Sequence, residues 1–248
     1  MLYSQGVAPF YDLFGNPDEP PDEAASFVAS FAAAGASVLD IGAGTGTMAI
    51  ALAEAGFRVT ALEPDPEMFG ALLVRLSRLH GASASLTPVP RGAGFPLGAR
   101  YDVANCSSVL HLLDAGGQDA LVGYAASAIT GSGRVVLEIP VVSQLREPKP
   151  WTLVGTRQLG RLRVDHHSAM ERVDGDSWQT HWRFVASLDG ERVHAIERTF
   201  NWAPLSHDRT AALLTACGLE LREEFAGYDR APYVQGQSKV RLVVAATA

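Results

Sequence analysis

The residues best suited to chemistry lie in Val38-Leu39-Asp40-Ile41-Gly42-Ala43-Gly44-Thr45-Gly46-Thr47. An acid sits inside a short apolar run, and three alternating glycines follow it. Glycines let a backbone turn sharply and approach a ligand with no Cβ in the way. The helix expected from Thr47 offers free N–H groups and the positive end of its dipole, which suit a ligand carboxylate. A second acid, Glu63, ends the apolar run Thr60-Ala61-Leu62. A carboxylate there can accept from both hydroxyls of a ribose, each charge-assisted bond being worth roughly 1.5–3 kcal/mol. Asp65 is the better placed to cap the next helix, which leaves Glu63 for the ligand. Pro64 starts the turn, and Met68 is positioned to pack on a base.

A dinucleotide fingerprint would read G-x-G-x-x-G. Here the third position is Thr47, and Gly46 precedes it by one. The D-x-G-x-G-x-G form resembles motif I of the class I S-adenosylmethionine-dependent methyltransferases. That resemblance implies a cofactor, S-adenosylmethionine, whose methionine half rests on Gly42, Ala43, Gly44 and Gly46, with Asp40 orienting the loop or its bound water. The segment Asp102 to His111 resembles the family's motif IV. By that analogy the backbone at Cys106 and Ser107 faces the cofactor's amino group, and His111 lies near the methyl. The lead-in Pro9-Phe10-Tyr11-Asp12-Leu13-Phe14 is similar to the N-terminal segment of small-molecule N-methyltransferases, in which the Tyr closes over the sulfonium. Many family members place an Asp after the third strand for the adenine amino group. This chain has Arg91 there, and an Arg cannot accept a hydrogen bond.

These residues need an α/β frame to position them. Strand signals at Val38–Ile41, Arg58–Leu62, Ala84–Val89, Tyr101–Asn105 and Arg134–Ile139 alternate with helix signals at Glu23–Ala34, Thr47–Ala55, Glu67–Leu79 and Gln118–Ile129. Such alternation implies a mostly parallel sheet covered on both faces. After a Ser206-capped helix ending at Gly218, Leu219–Phe225 and Lys239–Ala245 complete a seven-stranded, Rossmann-like sheet. We assign 1–150 and 204–248 to this cofactor-binding domain.

Residues 151–203 read as an insert. From Leu162 to Trp202 the pattern has period two, with turn signals at Asp174-Gly175 and Asp189-Gly190. This predicts a three-stranded antiparallel meander whose even-numbered residues, among them His166, Trp178, Trp182, Phe184 and Trp202, share one apolar face. Keeping them together requires an even sum for opposed residues, which three-residue loops at 173–175 and 188–190 would preserve. That face would dock as a lid or pair with a second subunit, so a homodimer is one expectation. His166 on it joins His111 as a candidate catalytic base, with His167 and His181 nearby.

Composition narrows the partners. The 248 residues carry a net charge of −7, with 47% hydrophobic and 19% charged residues. A surplus of acid argues against nucleic acid, whose phosphates demand Lys/Arg on at least one face. No run approaches the ~20 apolar residues of a membrane span, and the N-terminus lacks signal-peptide character. Cys106 and Cys217 have neither metal nor disulfide spacing, which points to no metal site and to a reduced, cytoplasmic setting. The expected activity is methyl transfer to an amine or hydroxyl of a small molecule of metabolite or natural-product type. The competing readings are a nicotinamide-dependent oxidoreductase and a cofactor-binding protein without transferase activity.

Overall fold

The computed structural model describes residues 6–15, 21–79, 85–141, 147–174, 177–203 and 205–248. A seven-stranded sheet is formed by β1 (Ser37–Ile41), β2 (Arg58–Leu62), β3 (Leu86–Val89), β4 (Tyr101–Ser107), β5 (Ile129–Pro140), β10 (Leu219–Phe225) and β11 (Val240–Thr247). Its order is β10-β11-β5-β4-β1-β2-β3. The strands from β5 to β3 run parallel, whereas β11 is antiparallel to both β5 and β10. The chain leaves β1 toward β2 on one side and returns to β4 on the other. This reversal opens a crevice at the C-terminal tips of β1 and β4.

Alternation within each strand explains why both faces are covered. Leu39, Ile41, Leu137 and Val243 pack on one face with Leu121 and Val122 of α5 (Ala115–Ala128) and Leu213 and Leu214 of α6 (His207–Ala216). Val38, Val59, Val136 and Val244 pack on the other with Phe27 and Val28 of α2 (Pro21–Ala29), Leu52 of α3 (Thr47–Glu54) and Leu72 of α4 (Pro66–Ser77). The short α1 (Ala8–Tyr11) lies in the lead-in. Side-chain caps fix several helix starts: Asp65 accepts from Glu67 and Met68 N–H, Asp114 from Gly117 N–H, and Ser206 from Arg209 N–H.

The insert has four strands, not the expected three, and begins at Lys149. They are β6 (Lys149–Leu159), β7 (Leu162–Asp174), β8 (Ser177–Leu188) and β9 (Glu191–Trp202), in that spatial order. Strand β6 escaped the period-two pattern because it is an edge strand exposed on both faces, with two register shifts against β7. The even face is the inner one: Val164, His166, Trp178, Thr180, Phe184 and Phe200 are buried on it. Most of the β7–β8 and β8–β9 register has the even sum, as in His166↔Phe184 and Phe184↔Ile196.

The hairpin loops achieve that parity differently from the expectation. Leu188 pairs with Glu191 across a two-residue turn in which Asp189 and Gly190 have φ of 51° and 89°. A bulge between Ala186 and Ser187 and their partners then restores the register. An Asp-Gly pair with two positive φ values is the turn that matches strand twist, and one extra residue corrects the parity. Between β7 and β8, Asp174 pairs with Ser177 after a register shift, while Gly175 lies outside the described residues.

Candidate active site

The glycine-rich turn between β1 and α3 is held from three sides. Gly42 and Ala43 N–H both donate to the Leu62 carbonyl at 2.9 Å, which ties the turn to β2. Gly42, Gly44 and Gly46 have φ of 76°, 57° and 85°, a region that only glycine occupies without strain. The three are not equivalent. A Cβ on Gly42 would lie 2.5 Å from Val109 Cγ2, and one on Gly46 would lie 2.8 Å from Leu72 Cγ. A Cβ on Gly44 would meet nothing within 4 Å, so Gly44 is the point where the turn faces open space.

Glu63 reaches back to this turn. Its Oε2 accepts from Gly44 N–H and its Oε1 from Asp65 N–H, each at 2.7 Å. Each carboxylate oxygen keeps a second lone pair, which a diol can use. Burial pushes the Glu63 carboxyl up from its ordinary value, against the pull of those two N–H bonds. Pro64 follows at the tip, and Met68 is buried in α4, 2% exposed, within the core.

Asp40 lies under the turn. Burial raises its carboxyl to about 6, the Asn105 hydrogen bond opposes that rise, and the nearby Glu63 charge adds to it. Asn105 Nδ2 donates to Asp40 Oδ1 at 2.8 Å and Ser107 Oγ donates to Asn105 Oδ1 at 3.2 Å. Asp40 Oδ2 is buried with no hydrogen-bond partner among the described residues. The side chain of Cys106 is fully buried in the core, and desolvation pushes its thiol far above the ordinary range. It is no nucleophile. The chain then turns at Ser108, an exposed residue with φ of 55°.

Two histidines meet the inner face of the insert: His166 lies on it within β7, and His111 packs against it at Trp202. The ring of His111, in a single 3₁₀ turn (Leu110–Leu112), lies 4.6 Å from that of Trp202. Ala203 N–H donates to the His111 carbonyl at 2.7 Å. Gln118 Nε2 bridges the carbonyls of Leu110, Leu113 and Ala203. His166 stacks on Phe184 with centroids 4.4 Å apart and contacts Phe14 and Trp182. Burial lowers both imidazoles to about 4, with the neighbouring His167 adding to the effect at His166. Both are therefore neutral at pH 7. His111 Nδ1 and His166 Nε2 are buried without a partner among the described residues.

The lead-in bridges these parts. Phe10 stacks on Phe184 at 5.0 Å, and Tyr11 lies 6.4 Å from Trp182. Asp12 Oδ1 accepts from Thr45 Oγ at 2.6 Å, while Arg75 donates to Asp12, Thr45 and Thr47. The even face of the insert is thus partly covered by its own chain, by the lead-in over His166, Trp182 and Phe184 and by the 3₁₀ turn at Trp202, while Leu188 and His194 on it are exposed. Sequence reasoning missed Asp12, Thr45, Arg75, Asn105 and Gln118. Among the described residues no group of three or more His, Cys, Asp or Glu could hold a metal, and no helix is long and apolar enough to cross a membrane.

An orphaned acid oxygen beneath the turn, open space at Gly44 and a ribose-competent carboxylate at the next strand tip together fit a nucleoside that bears an amino acid. Residues 18–188 match the methyltransferase domain family. The chain belongs to that family. It is an S-adenosylmethionine-dependent methyltransferase of the class I kind. No curated protein matches it by sequence. Among solved structures it is similar to the CcbJ methyltransferase from Streptomyces caelestis, at 24% identity and a TM-score of 0.84, over 100% of this chain and 98% of that one. DesVI from Streptomyces venezuelae aligns at 21% identity and a TM-score of 0.77, over 99% and 100% of the two chains. The sugar N-methyltransferase KedS8 from a Streptoalloteichus species aligns at 18% and 0.77, over 100% and 97%. These likenesses establish a shared fold that extends through the insert. A methyltransferase assignment removes the oxidoreductase reading.

Proposed function

We propose that this methyltransferase acts on an amine nitrogen of a small, ring-bearing acceptor held between the glycine-rich turn and the inner face of the insert. The observation that carries the choice of amine is the state of the two bordering histidines. Methyl transfer is an in-line displacement, and the bound cofactor supplies a methyl already activated on a sulfonium. A hydroxyl acceptor benefits from a base whose pKa lies near the working pH. At about 4, His111 and His166 are too weak for that task. An amine needs only to arrive unprotonated, and the chain then has to align its lone pair and exclude water. Positioning of this kind is worth roughly 7–11 kcal/mol.

Each residue has a part in that arrangement. Gly42, Ala43, Gly44 and Gly46 cradle the amino-acid end of the cofactor, Asp40 sits beneath them, and Glu63 with Pro64 holds the sugar. The backbone at Cys106 and Ser107 lines the β4 side. Tyr11 covers the turn from the lead-in, while His111 and His166 act as neutral, hydrogen-bonding walls of the acceptor chamber. Trp182, half-buried beside Tyr11, gives that chamber a flat apolar surface suited to a ring, and Phe184 backs it from within the packed face. A sugar N-methyltransferase among the structural neighbours supports the same reading.

The test is a mass-spectrometric methylation assay over matched panels of cyclic amines, amino sugars and phenols. The expected result is an N-methylated product whose rate follows deprotonation of the acceptor amine. Methylation confined to phenols, or binding of the cofactor with transfer to no acceptor, would refute the proposal; the latter would favour the non-catalytic reading.

A further inference from the structure

The turn that follows β3 departs from what a base-reading site needs. Glu63 N–H donates to the Val89 carbonyl at 3.1 Å, so the tips of β2 and β3 adjoin. A Cβ on Gly92 would sit 3.6 Å from Pro64 Cβ, which places the Pro90–Gly92 turn directly beside the sugar-binding tip. A nucleoside gripped by Glu63 must therefore bring its base to this turn or to the start of α4.

The turn itself offers a base amino group no carboxylate or amide side chain. Residues 86–100 contain no Asp, Glu, Asn or Gln. The Val89 carbonyl already accepts from Glu63 and Arg91 N–H, and the carbonyls of Pro90, Gly92 and Phe95 each accept a bond from Arg91 Nη1, Phe95 N–H and Tyr124 O–H respectively. At the start of α4, Asp65 caps the helix and Glu67 accepts from Gly6 N–H. The exposed side chain on the turn is Arg91, whose guanidinium lies 5.9 Å from the Phe95 ring centroid. A guanidinium carries five donors and no acceptor.

We infer that this turn makes the base subsite donor-lined, so that Arg91 addresses ring-nitrogen or 6-oxo acceptors and the enzyme scarcely distinguishes a 6-aminopurine nucleoside from a 6-oxopurine one. The inference rests on the methyltransferase reading of the site. A site that hydrogen-bonds a particular polar group rejects the analogue lacking it, because the site's own group is then left unpaired. With no carboxylate or amide side chain on the turn to strand, that penalty disappears for a base seated there, and a 6-oxo group gains the guanidinium as a partner.

Calorimetry of the full chain with S-adenosylhomocysteine and S-inosylhomocysteine tests this. Wild type should bind the two within about threefold of each other, and Arg91→Asp should shift the ratio about tenfold or more toward the adenosyl form. Arg91→Met should weaken the inosyl form selectively. The side chain is exposed, so these variants fold. An adenosyl preference above roughly thirtyfold in wild type, or a ratio that Arg91→Asp leaves unmoved, overturns the inference alone. Failure of wild type to bind either nucleoside overturns the methyltransferase reading as well.

Discussion

The inequality among the three glycines can be turned into an experiment. Alanine at Gly44 adds a methyl at φ of 57° with nothing within 4 Å to obstruct it. The cost to the fold is backbone strain, about 1 kcal/mol, or a fall in Tm of about 2–4 °C for a chain of this size. The same change at Gly46 carries comparable strain at φ of 85°, and drives a Cβ to 2.8 Å from Leu72 Cγ and 3.1 Å from its Cδ1. Overpacking adds roughly 1–3 kcal/mol, so Gly46→Ala should be less stable by about 2–4 kcal/mol in total. Binding should rank the other way. On the proposed placement, the methyl on Gly44 projects toward the cofactor's amino-acid end and should weaken S-adenosylhomocysteine on the order of thirtyfold, or 2 kcal/mol. Thermal melts without ligand and calorimetry with it measure both quantities on the same samples. Wild-type affinity in Gly44→Ala would falsify the placement of the cofactor over Gly44. Equal stability of the two variants would show that the Leu72 contact relaxes freely.

Glu63→Gln should weaken the cofactor by roughly 1.5–3 kcal/mol, since the charge-assisted bonds to the sugar and to Gly44 N–H are lost together; an unchanged dissociation constant measured by calorimetry would show that the acid only braces the turn. Asp40, raised from 3.8 to about 6, binds its proton more tightly folded than unfolded. Its contribution to stability therefore declines as pH rises from about 4 to about 6. The difference between Asp40→Asn and wild type, read from urea melts, should grow across that window by on the order of 3 kcal/mol and then level off. The buried histidines have the opposite slope, but they are common to both proteins and cancel in the difference. A flat difference curve would mean that Asp40 is ionised throughout. Asp12→Asn, which weakens the contacts to Thr45 and Arg75, should raise the dissociation rate of S-adenosylhomocysteine a few-fold in stopped-flow fluorescence. A rate indistinguishable from wild type would mean that the lead-in does not restrain the cofactor. His111→Phe keeps a ring against Trp202, so it should preserve cofactor affinity while lowering kcat/KM for the acceptor. Unaltered kinetics would reduce His111 to packing.

Much of the frame follows from local pattern. The bounds of β2 coincide with the expected Arg58–Leu62, because an apolar run between Gly56 and Pro64 permits little else. Helix α5 starts at Ala115, three residues before the expected Gln118, since the Asp114 cap carries the helix through Gly116 and Gly117 despite their poor propensity. Strand β6 has no one-sided burial and so leaves no periodic trace. The site divides along the same line. The glycines and Glu63 stand out because each must have its identity for a local reason: a positive φ, or an acid at a strand tip. Asp12, Thr45 and Arg75 meet across separations of more than 25 residues, and nothing in their immediate neighbours marks them. Asn105 is intermediate. A polar residue amid Val103, Ala104 and Cys106 is anomalous on sight, but its partner becomes legible only when β1 and β4 adjoin with Asp40 opposite Asn105.

The places where local rules are broken coincide with the site. Asp40 is the fourth of five residues in a strand whose other buried positions are apolar, and burial there raises its carboxyl, so its charge opposes folding. One of its oxygens goes unpaired among the described residues, and a non-glycine residue, Ser108, turns with positive φ just past the tip of β4. Each departure is destabilising by itself, and the two apolar clusters on either face of the sheet offset them. No packing requirement explains why Asp40 is an acid, since Asn105 could bond an amide there equally well. The proposed ligand, whose amino-acid end carries a cationic group, would account for it. Positive charge beside Asp40 and Glu63 would offset the desolvation that raises both carboxyls and the lesser repulsion that each feels, Asp40 from Glu63 and Glu63 from Asp65. On the proposed placement of the cofactor, the strain and the buried charge are thus features of a seat that is most stable when filled.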